Sequence, residues 1–151
     1  MSYRDHSIEI RPIGRVHRIS PTKDVADRSL VSQIVLLSDL EPALDGIDQF
    51  SHLYVIYWLD RVSSENRCVL THTTNGIPRG VFATRKPWRP NPIGLDLVEL
   101  VRHEANILWV RGLDALEDSP VLDIKPYPEW VSGRLIVVTD FRVPPDWQTR
   151  L

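Results

Sequence analysis

The stretch from Gly80 to Gly94, Gly-Val-Phe-Ala-Thr-Arg-Lys-Pro-Trp-Arg-Pro-Asn-Pro-Ile-Gly, constrains the fold of this 151-residue chain more than any other. Pro87, Pro90 and Pro92 fix their own φ near about −65° and push the preceding residues toward extended geometry. Because these prolines also lack an amide donor, the stretch is excluded from a helix interior and from a central strand. We expect a stiff, exposed loop between two strands.

Cations surround an indole in this loop. Arg85, Lys86 and Arg89 flank Trp88, and Asn91 follows. Rigid cations beside an aromatic ring suit a ligand that is flat, anionic or both, such as a nucleotide. The residues alone also allow a proline-rich surface loop with solvated arginines. The density of unusual residues favours a binding site, since functional loops are held rigid by a scaffold.

Short apolar runs alternate with turn residues along the rest of the chain. The continuously apolar run 53–59 predicts a central strand that is covered on both faces. The spacing of Ser38-Asp39-Leu40-Glu41 is typical of a capping box and predicts a short helix that ends at Gly46. A turn is predicted at 20–23. Further strands are predicted over 8–16 with a bend at Gly14, 30–37, 68–73, 95–101, 107–112, 121–124 and 135–143.

Many short strands, little helix and 12 prolines at the joints predict a mainly β fold. We expect a single domain over 1–151, a β-barrel of short strands with one or two short helices. No glycine-rich phosphate loop or dinucleotide fingerprint follows a strand, so the fold is predicted to be non-Rossmann. Any cofactor must then be held by loops.

Composition limits the compartment and the partners. One cysteine cannot form an internal disulfide, which favours a reducing compartment. No apolar run reaches the roughly 18 residues of a membrane span, and the amino-terminal residues lack the apolar core of a signal peptide. We expect a cytoplasmic protein without membrane association. The five histidines lack the paired spacing of a zinc site, so no metal is predicted. A net charge of −2 still allows a local basic patch.

A second polar patch lies near the carboxyl-terminal end. Asp123 and Lys125 are two residues apart in an extended segment, so they share one face and Ile124 points to the other. Tyr127 would share the face of Asp123. From the residues alone this is either a site or a solvated ion pair on an edge strand.

Several blocks together resemble the TrmO (YaeB/VirR-like, TsaA-like) family, in family order over about residues 8–130. The Arg-Pro-Asn-Pro-Ile-Gly block at 89–94 and the Asp-Ile-Lys-Pro-Tyr block at 123–127 are highly specific together. The other matching blocks are Pro-Ile-Gly at 12–14, Phe-Ser-His-Leu at 50–53, Gly-Val-Phe-Ala-Thr-Arg at 80–85 and Gly-Leu-Asp at 112–114. The chain departs from the family at 24–28, where Asp-Val-Ala-Asp-Arg replaces a Pro-Arg-Gln element.

The resemblance implies a β-barrel methyltransferase that uses S-adenosylmethionine and forms a homodimer. It implies methylation of N6 of threonylcarbamoyladenosine, immediately 3′ of the anticodon in the tRNA anticodon loop. The implied cofactor-binding residues are Asp60, Arg61, Arg85, Leu95, Arg111, Gly112, Leu113 and Asp114. Predicted RNA contacts are Lys86, Trp88, Arg89, Asn91, Lys125 and Tyr127. Asp114 and Asp123 are the candidate catalytic residues, as acceptors of the departing proton.

Two other functions stay open. A nucleic-acid-binding β-barrel without catalysis would explain the cations and Trp88 but not the Asp-Ile-Lys-Pro-Tyr block. Alternatively, an S-adenosylmethionine-binding protein would use another methyl acceptor or sense the cofactor. Saturable binding of S-adenosylmethionine separates the first of these from the enzyme, and the modified nucleosides of tRNA separate the second.

Overall fold

The protein is described here by a computed structural model that covers residues 7–19, 27–74, 76–127, 130–131 and 134–135. Six antiparallel strands form a closed barrel: β1 Gly14–Arg18, β2 Val31–Leu36, β3 His52–Trp58, β6 Ile93–Glu104, β7 Ile107–Arg111 and β8 Pro120–Tyr127. Their order around the barrel is β1-β2-β7-β6-β3-β8. Two further antiparallel pairs are β4 Thr71–Thr74 with β5 Ile77–Gly80, and β9 Trp130–Val131 with β10 Arg134–Leu135. The mainly β, barrel prediction is confirmed.

Strand β3, the predicted central strand, pairs with β6 along one edge and with β8 along the other. Its central position was predicted correctly, but the expectation of cover on both faces was wrong. Leu53, Val55 and Tyr57 are buried, whereas the alternating residues are only half-buried. A closed barrel has one inner face, so burial alternates along each strand even when every residue is apolar. The inner face forms the core together with residues such as Val16, Ile34, Val98, Leu108, Val110 and Val121.

Two strand predictions were partly wrong. The first strand begins at Gly14, not at Ile8, and residues 7–13 have no regular secondary structure. Ile8 and Ile10 are exposed, because β2 and β8 pair with β1 only from Gly14 onward. In the predicted strand 68–73, Cys68 ends a 3-10 turn and the strand begins only at Thr71.

The predicted helix occurs as the 3-10 segment Ser38–Leu44, not as a capped α-helix. No side-chain cap hydrogen bond forms at its start, so the capping box is absent. Pro42 inside the segment has no amide to donate to the turn before it, which favours the tighter geometry. The other helical segments of the described residues, Ile47–Gln49, Glu65–Cys68 and Val81–Ala83, are also 3-10. The predicted turn at 20–23 and the strand beyond residue 135 lie outside the described residues.

The proline-rich stretch forms the connection between β5 and β6, as predicted. We call residues 81–92 the cationic loop. Val81 and Pro92 are buried at its two ends, and the Leu59 amide donates to the Pro92 carbonyl at 2.8 Å. The loop therefore lies anchored on the barrel at both ends, and Trp88 between them is 42% exposed.

Within the described residues, no helix has the length and apolar character that crossing a bilayer requires.

Candidate functional site

A cavity of about 500 Å³ opens where β6 and β7 stop pairing, beyond Glu99 and Arg111. We call it the barrel-end cavity. Its volume falls within the range of small-molecule sites. The cavity is lined by Arg28, His52, Arg85, Asp96, Leu97, Glu99, Arg111 and Gly112.

A buried carboxylate organises this cavity. Asp96 is 3% exposed and accepts hydrogen bonds from the Tyr57 hydroxyl and from the Asp114 amide, both at 3.0 Å. The Arg28 guanidinium lies 3.7 Å from its other oxygen. A buried charge is costly unless it is paired and hydrogen-bonded, and Asp96 has both kinds of partner. It therefore fixes the backbone at Asp114 against the barrel wall.

Gly94 allows this network to form. Tyr57 and Gly94 are cross-strand neighbours, and a Cβ at position 94 would lie 2.3 Å from the tyrosine ring. The ring occupies the space that a side chain would fill, and its hydroxyl reaches Asp96. Burial first, and the Asp96 charge second, raise the pKa of Tyr57. The hydroxyl therefore keeps its proton and remains a donor.

Asp114 is a second carboxylate beside the cavity. Its side chain is 45% exposed and lies 3.9 Å from Arg28. Burial is the largest cause that raises the pKa of Asp114, followed by the charge of Asp96, whereas nearby arginines lower it. The preceding Gly112 has φ +97°, a left-handed geometry that suits glycine. Leu113 is buried in the core, so the segment turns its backbone and the Asp114 carboxylate outward.

Arginines supply the cations of the lining. Arg85 donates to the Leu95 carbonyl at 2.6 Å, which holds the start of the cationic loop against β6. Arg111 pairs with Glu99 on the adjacent strand. The cavity thus presents cations and carboxylates side by side, an arrangement suited to a small zwitterionic ligand.

The structure brings most of the predicted cofactor-binding residues together. Arg85, Arg111 and Gly112 line the cavity, and Leu95 and Asp114 lie beside it through the bonds just described. Asp60 and Arg61 are not among the lining residues, and Arg61 donates to the Glu117 carbonyl at 2.8 Å instead. The cofactor roles of all these residues stay predictions.

Sequence reasoning missed five of the lining residues: Arg28, His52, Asp96, Leu97 and Glu99. His52 begins β3 and lines the cavity, with Ser51 Oγ 2.9 Å from its Nδ1. Arg28 belongs to the segment that departs from the family pattern. Only Asp96 could have been found from the sequence. It lies two residues before Val98 in a predicted strand, so its carboxylate shares the inward face of β6 with an apolar residue.

The cationic loop is fastened to the β4–β5 hairpin. His72 Nε2 donates to the Trp88 carbonyl at 2.9 Å, and Arg89 lies 3.4 Å from the carbonyls of Thr84 and Lys86. These contacts hold the backbone, while Lys86 and Asn91 are exposed. The predicted RNA-contacting residues of the loop therefore lie on backbone that is held in place, and their roles stay predictions.

The Asp-Ile-Lys-Pro-Tyr block lies on β8. Lys125 and Asp123 form an ion pair at 2.8 Å, which confirms that they share a face, and this pairing raises the pKa of Lys125. Tyr127 packs edge-on against Tyr54, with ring centroids 5.4 Å apart. None of the three block residues lines the barrel-end cavity, but Tyr127 is in register with His52, which does. The block is thus one strand away from the cavity.

Comparisons with known proteins agree with this architecture. The profile of the tRNA-methyltransferase O N-terminal domain family matches residues 16–131. A probable S-adenosyl-L-methionine-binding protein from Methanothermobacter thermautotrophicus is 46% identical over 132 residues, which are 83% of this chain and 93% of the relative. The human tRNA (adenine(37)-N6)-methyltransferase is 38% identical over 95 residues, 61% of this chain but 21% of the human protein.

A solved structure extends the similarity to the fold. TrmO from Pseudomonas aeruginosa superposes with a TM-score of 0.65 at 28% identity, over 92% of this chain and 64% of that protein. The chain therefore spans less than two thirds of the bacterial protein. Because the profile covers most of the sequence, this chain belongs to the tRNA-methyltransferase O N-terminal domain family.

Proposed function

We propose that this protein is an S-adenosylmethionine-dependent tRNA methyltransferase that methylates N6 of threonylcarbamoyladenosine, next to the anticodon. Membership of the family and the names of its relatives support the reaction class. The observation that carries the proposal is the position of Arg85, which lines the barrel-end cavity and begins the cationic run of the loop. A small-molecule cavity and a surface suited to RNA therefore meet at one side chain.

The lining residues fit S-adenosylmethionine. Its sulfonium is positively charged, and Asp96 and Asp114 are carboxylates that would attract it. Its carboxylate needs a cation, which Arg28 or Arg85 would supply as a charge-assisted hydrogen bond. When bound, this cofactor supplies an electrophilic methyl group. These residues would hold and orient it in a cavity of sufficient size.

The protein would act mainly by orientation. Holding donor and acceptor in line lowers the activation free energy by on the order of 7–11 kcal/mol in favourable cases. The exocyclic nitrogen must also lose its proton, which a carboxylate could accept. Asp114 is the better of the two candidate proton acceptors, because burial raises the pKa of its carboxyl toward the working range of a general base. Asp123 is engaged by Lys125.

The cationic loop would hold the RNA. Lys86 and Arg89 suit phosphates, which position a nucleic acid, and the exposed face of Trp88 suits stacking with an unpaired base. Lys125 and Tyr127 would extend this surface across β8 and β3. The homodimer belongs to the same proposal, and light scattering of the purified protein tests it.

The decisive experiment has two stages. Calorimetric titration should show saturable, stoichiometric binding of S-adenosylmethionine. Mass spectrometry of tRNA nucleosides, from a deletion strain with and without this protein, should then show the methylated nucleoside only when the protein is present. If the nucleoside profile is unchanged although the protein binds the donor, the proposed activity on tRNA is excluded.

A second candidate follows from the same comparisons. The relative from Methanothermobacter thermautotrophicus, 93% of whose length this chain spans, is named a probable S-adenosyl-L-methionine-binding protein. A cofactor-binding protein with another methyl acceptor, or none, would bind the donor and leave the tRNA nucleosides unchanged. The two-stage experiment separates it from the enzyme.

A further inference from the structure

We propose that Arg79 and Lys86 form a binding site for an anionic oxygen group of the RNA substrate, in a second cavity beside the barrel-end cavity. This inference rests on the proposed function and deepens it, since it names a contact for the acceptor. The anionic group is either a backbone phosphate or the carboxylate of the threonylcarbamoyl group. Arg79 lies on β5, outside the blocks that carry the family resemblance.

The second cavity has a volume of about 490 Å³ and is lined by Arg79, Ala83, Thr84, Arg85 and Lys86. We call it the cationic cavity. Every ionisable side chain in this lining is positively charged. The Thr84 hydroxyl donates its hydrogen bond to the Val81 carbonyl at 2.9 Å, so it is not available as a donor to a ligand. The ligand it suits is therefore an anion recognised by arginine and lysine.

These cations lack the carboxylate partners that other cations have. Lys125 pairs with Asp123, and Arg111 pairs with Glu99. Within the described residues, no carboxylate lies within 4.0 Å of Arg79, Arg85 or Lys86. Like charges held around one cavity repel one another. A bound oxyanion would remove that repulsion and accept charge-assisted hydrogen bonds.

The cavity is built on backbone that is held in place. Arg79 lies in the β4–β5 ladder opposite His72, and His72 Nε2 donates to the Trp88 carbonyl of the cationic loop. Where β5 ends, the Val81 amide donates to the Leu70 carbonyl at 2.8 Å. The hairpin and the loop therefore present Arg79 and Lys86 from two sides of the same opening.

Arg85 connects the two cavities, since it lines both. Its bond to the Leu95 carbonyl fixes it on β6. An anion in the cationic cavity would consequently lie next to the proposed donor site. This is where a group of the acceptor nucleotide, or of its neighbour, must lie if its base enters the barrel-end cavity.

The test compares Arg79→Ala with Arg11→Ala, a matched control at an exposed arginine that pairs with Glu9 outside both cavities. Binding of a fluorescent anticodon stem-loop is measured by anisotropy at several salt concentrations, and donor binding by calorimetry. We expect Arg79→Ala to weaken RNA binding roughly five- to tenfold and to reduce the salt slope by about 0.7–1, as for one lost phosphate contact. Donor affinity should not change, and Arg79→Lys should restore part of the RNA affinity.

Two RNAs identify the anionic group. An equal loss with unmodified and threonylcarbamoylated stem-loops assigns the site to a backbone phosphate, and a loss with the modified RNA alone assigns it to the carboxylate. If Arg79→Ala has the same RNA affinity and the same salt slope as Arg11→Ala, the inference is overturned while the proposed function stands. A wild-type protein that binds the donor but no RNA overturns both.

Discussion

The barrel-end cavity and the cationic loop differ in how their charged side chains are paired. In the cavity, Asp96 is buried and accepts hydrogen bonds from Tyr57 and Asp114, with Arg28 nearby. In the loop and its hairpin, Arg79 and Lys86 are exposed and have no acidic partner within the described residues. Charges satisfied internally define a rigid pocket for a small ligand, whereas unpaired cations suit a polyanion that supplies its own counter-charge.

The two regions are also made rigid by different means. Gly94 leaves room for the Tyr57 ring, and the network around Asp96 then fixes the segment that carries Asp114. In the loop, three prolines restrict the backbone before folding, and hydrogen bonds from His72 and Arg89 to loop carbonyls add to this restriction. Removing one hydrogen-bonding group should therefore destabilise the structure of the cavity more than that of the loop, where the prolines remain.

The largest effect is expected for Asp96→Ala. It leaves the buried Tyr57 hydroxyl and the Asp114 amide without an acceptor, which should cost about 2–4 kcal/mol in the free energy of unfolding. Donor affinity should fall at least about tenfold, while RNA binding by the folded fraction changes little. Urea unfolding and calorimetry measure the two effects.

Asp96→Asn is the matched control, because its amide oxygen still accepts a hydrogen bond although the charge is gone. It should recover most of the stability but not the donor affinity. Full recovery of both would mean that the Asp96 charge has no part in donor binding, and the contrast between the two regions would then be one of packing alone.

The sequence predicted the features that depend on neighbours along the chain. The apolar run located β3, the prolines located the loop, and the two-residue period placed Asp123 and Lys125 on one face. Each of these follows from local backbone geometry.

The sequence did not predict the features that depend on closure of the barrel. Asp96 contacts Tyr57, 39 residues away, and the Asp114 amide, 18 residues away. No local pattern contains these separations. Likewise, the alternation at Ile8 and Ile10 is typical of a strand, but among the described residues no strand pairs with them. Pairing, unlike propensity, is a property of the whole fold.

A smaller effect is expected in the pair Arg85→Ala and Arg89→Ala, which tests where the cavity ends and the loop begins. Arg85→Ala removes the bond to the Leu95 carbonyl and one cation of the cavity, so donor affinity should fall roughly three- to tenfold. Arg89→Ala should leave donor affinity unchanged and lower RNA affinity or turnover. Calorimetry with the donor and anisotropy with the stem-loop give both values for both variants.

If the two variants have equal and negligible effects, the loop is only a surface connection. Arg85→Lys is the conservative control: it keeps the charge and loses the planar guanidinium. Partial recovery of donor affinity by lysine would assign the effect of Arg85 to charge, and no recovery would assign it to the geometry of its hydrogen bond.

The smallest effect is a difference in pH dependence. Burial raises the pKa of Asp114, so this carboxyl gains its proton at a higher pH than an exposed aspartate does. Protonation removes a charge that attracts the sulfonium, and donor affinity should therefore fall a few-fold, on the order of one weakened ion pair, as the pH is lowered from neutral, and it should begin to fall at a higher pH than for an exposed aspartate. Calorimetric titrations at each pH should show a slope for the wild type that is smaller in Asp114→Asn, because the comparison removes the contributions of all other groups. An identical slope in both proteins would exclude Asp114 from the donor site.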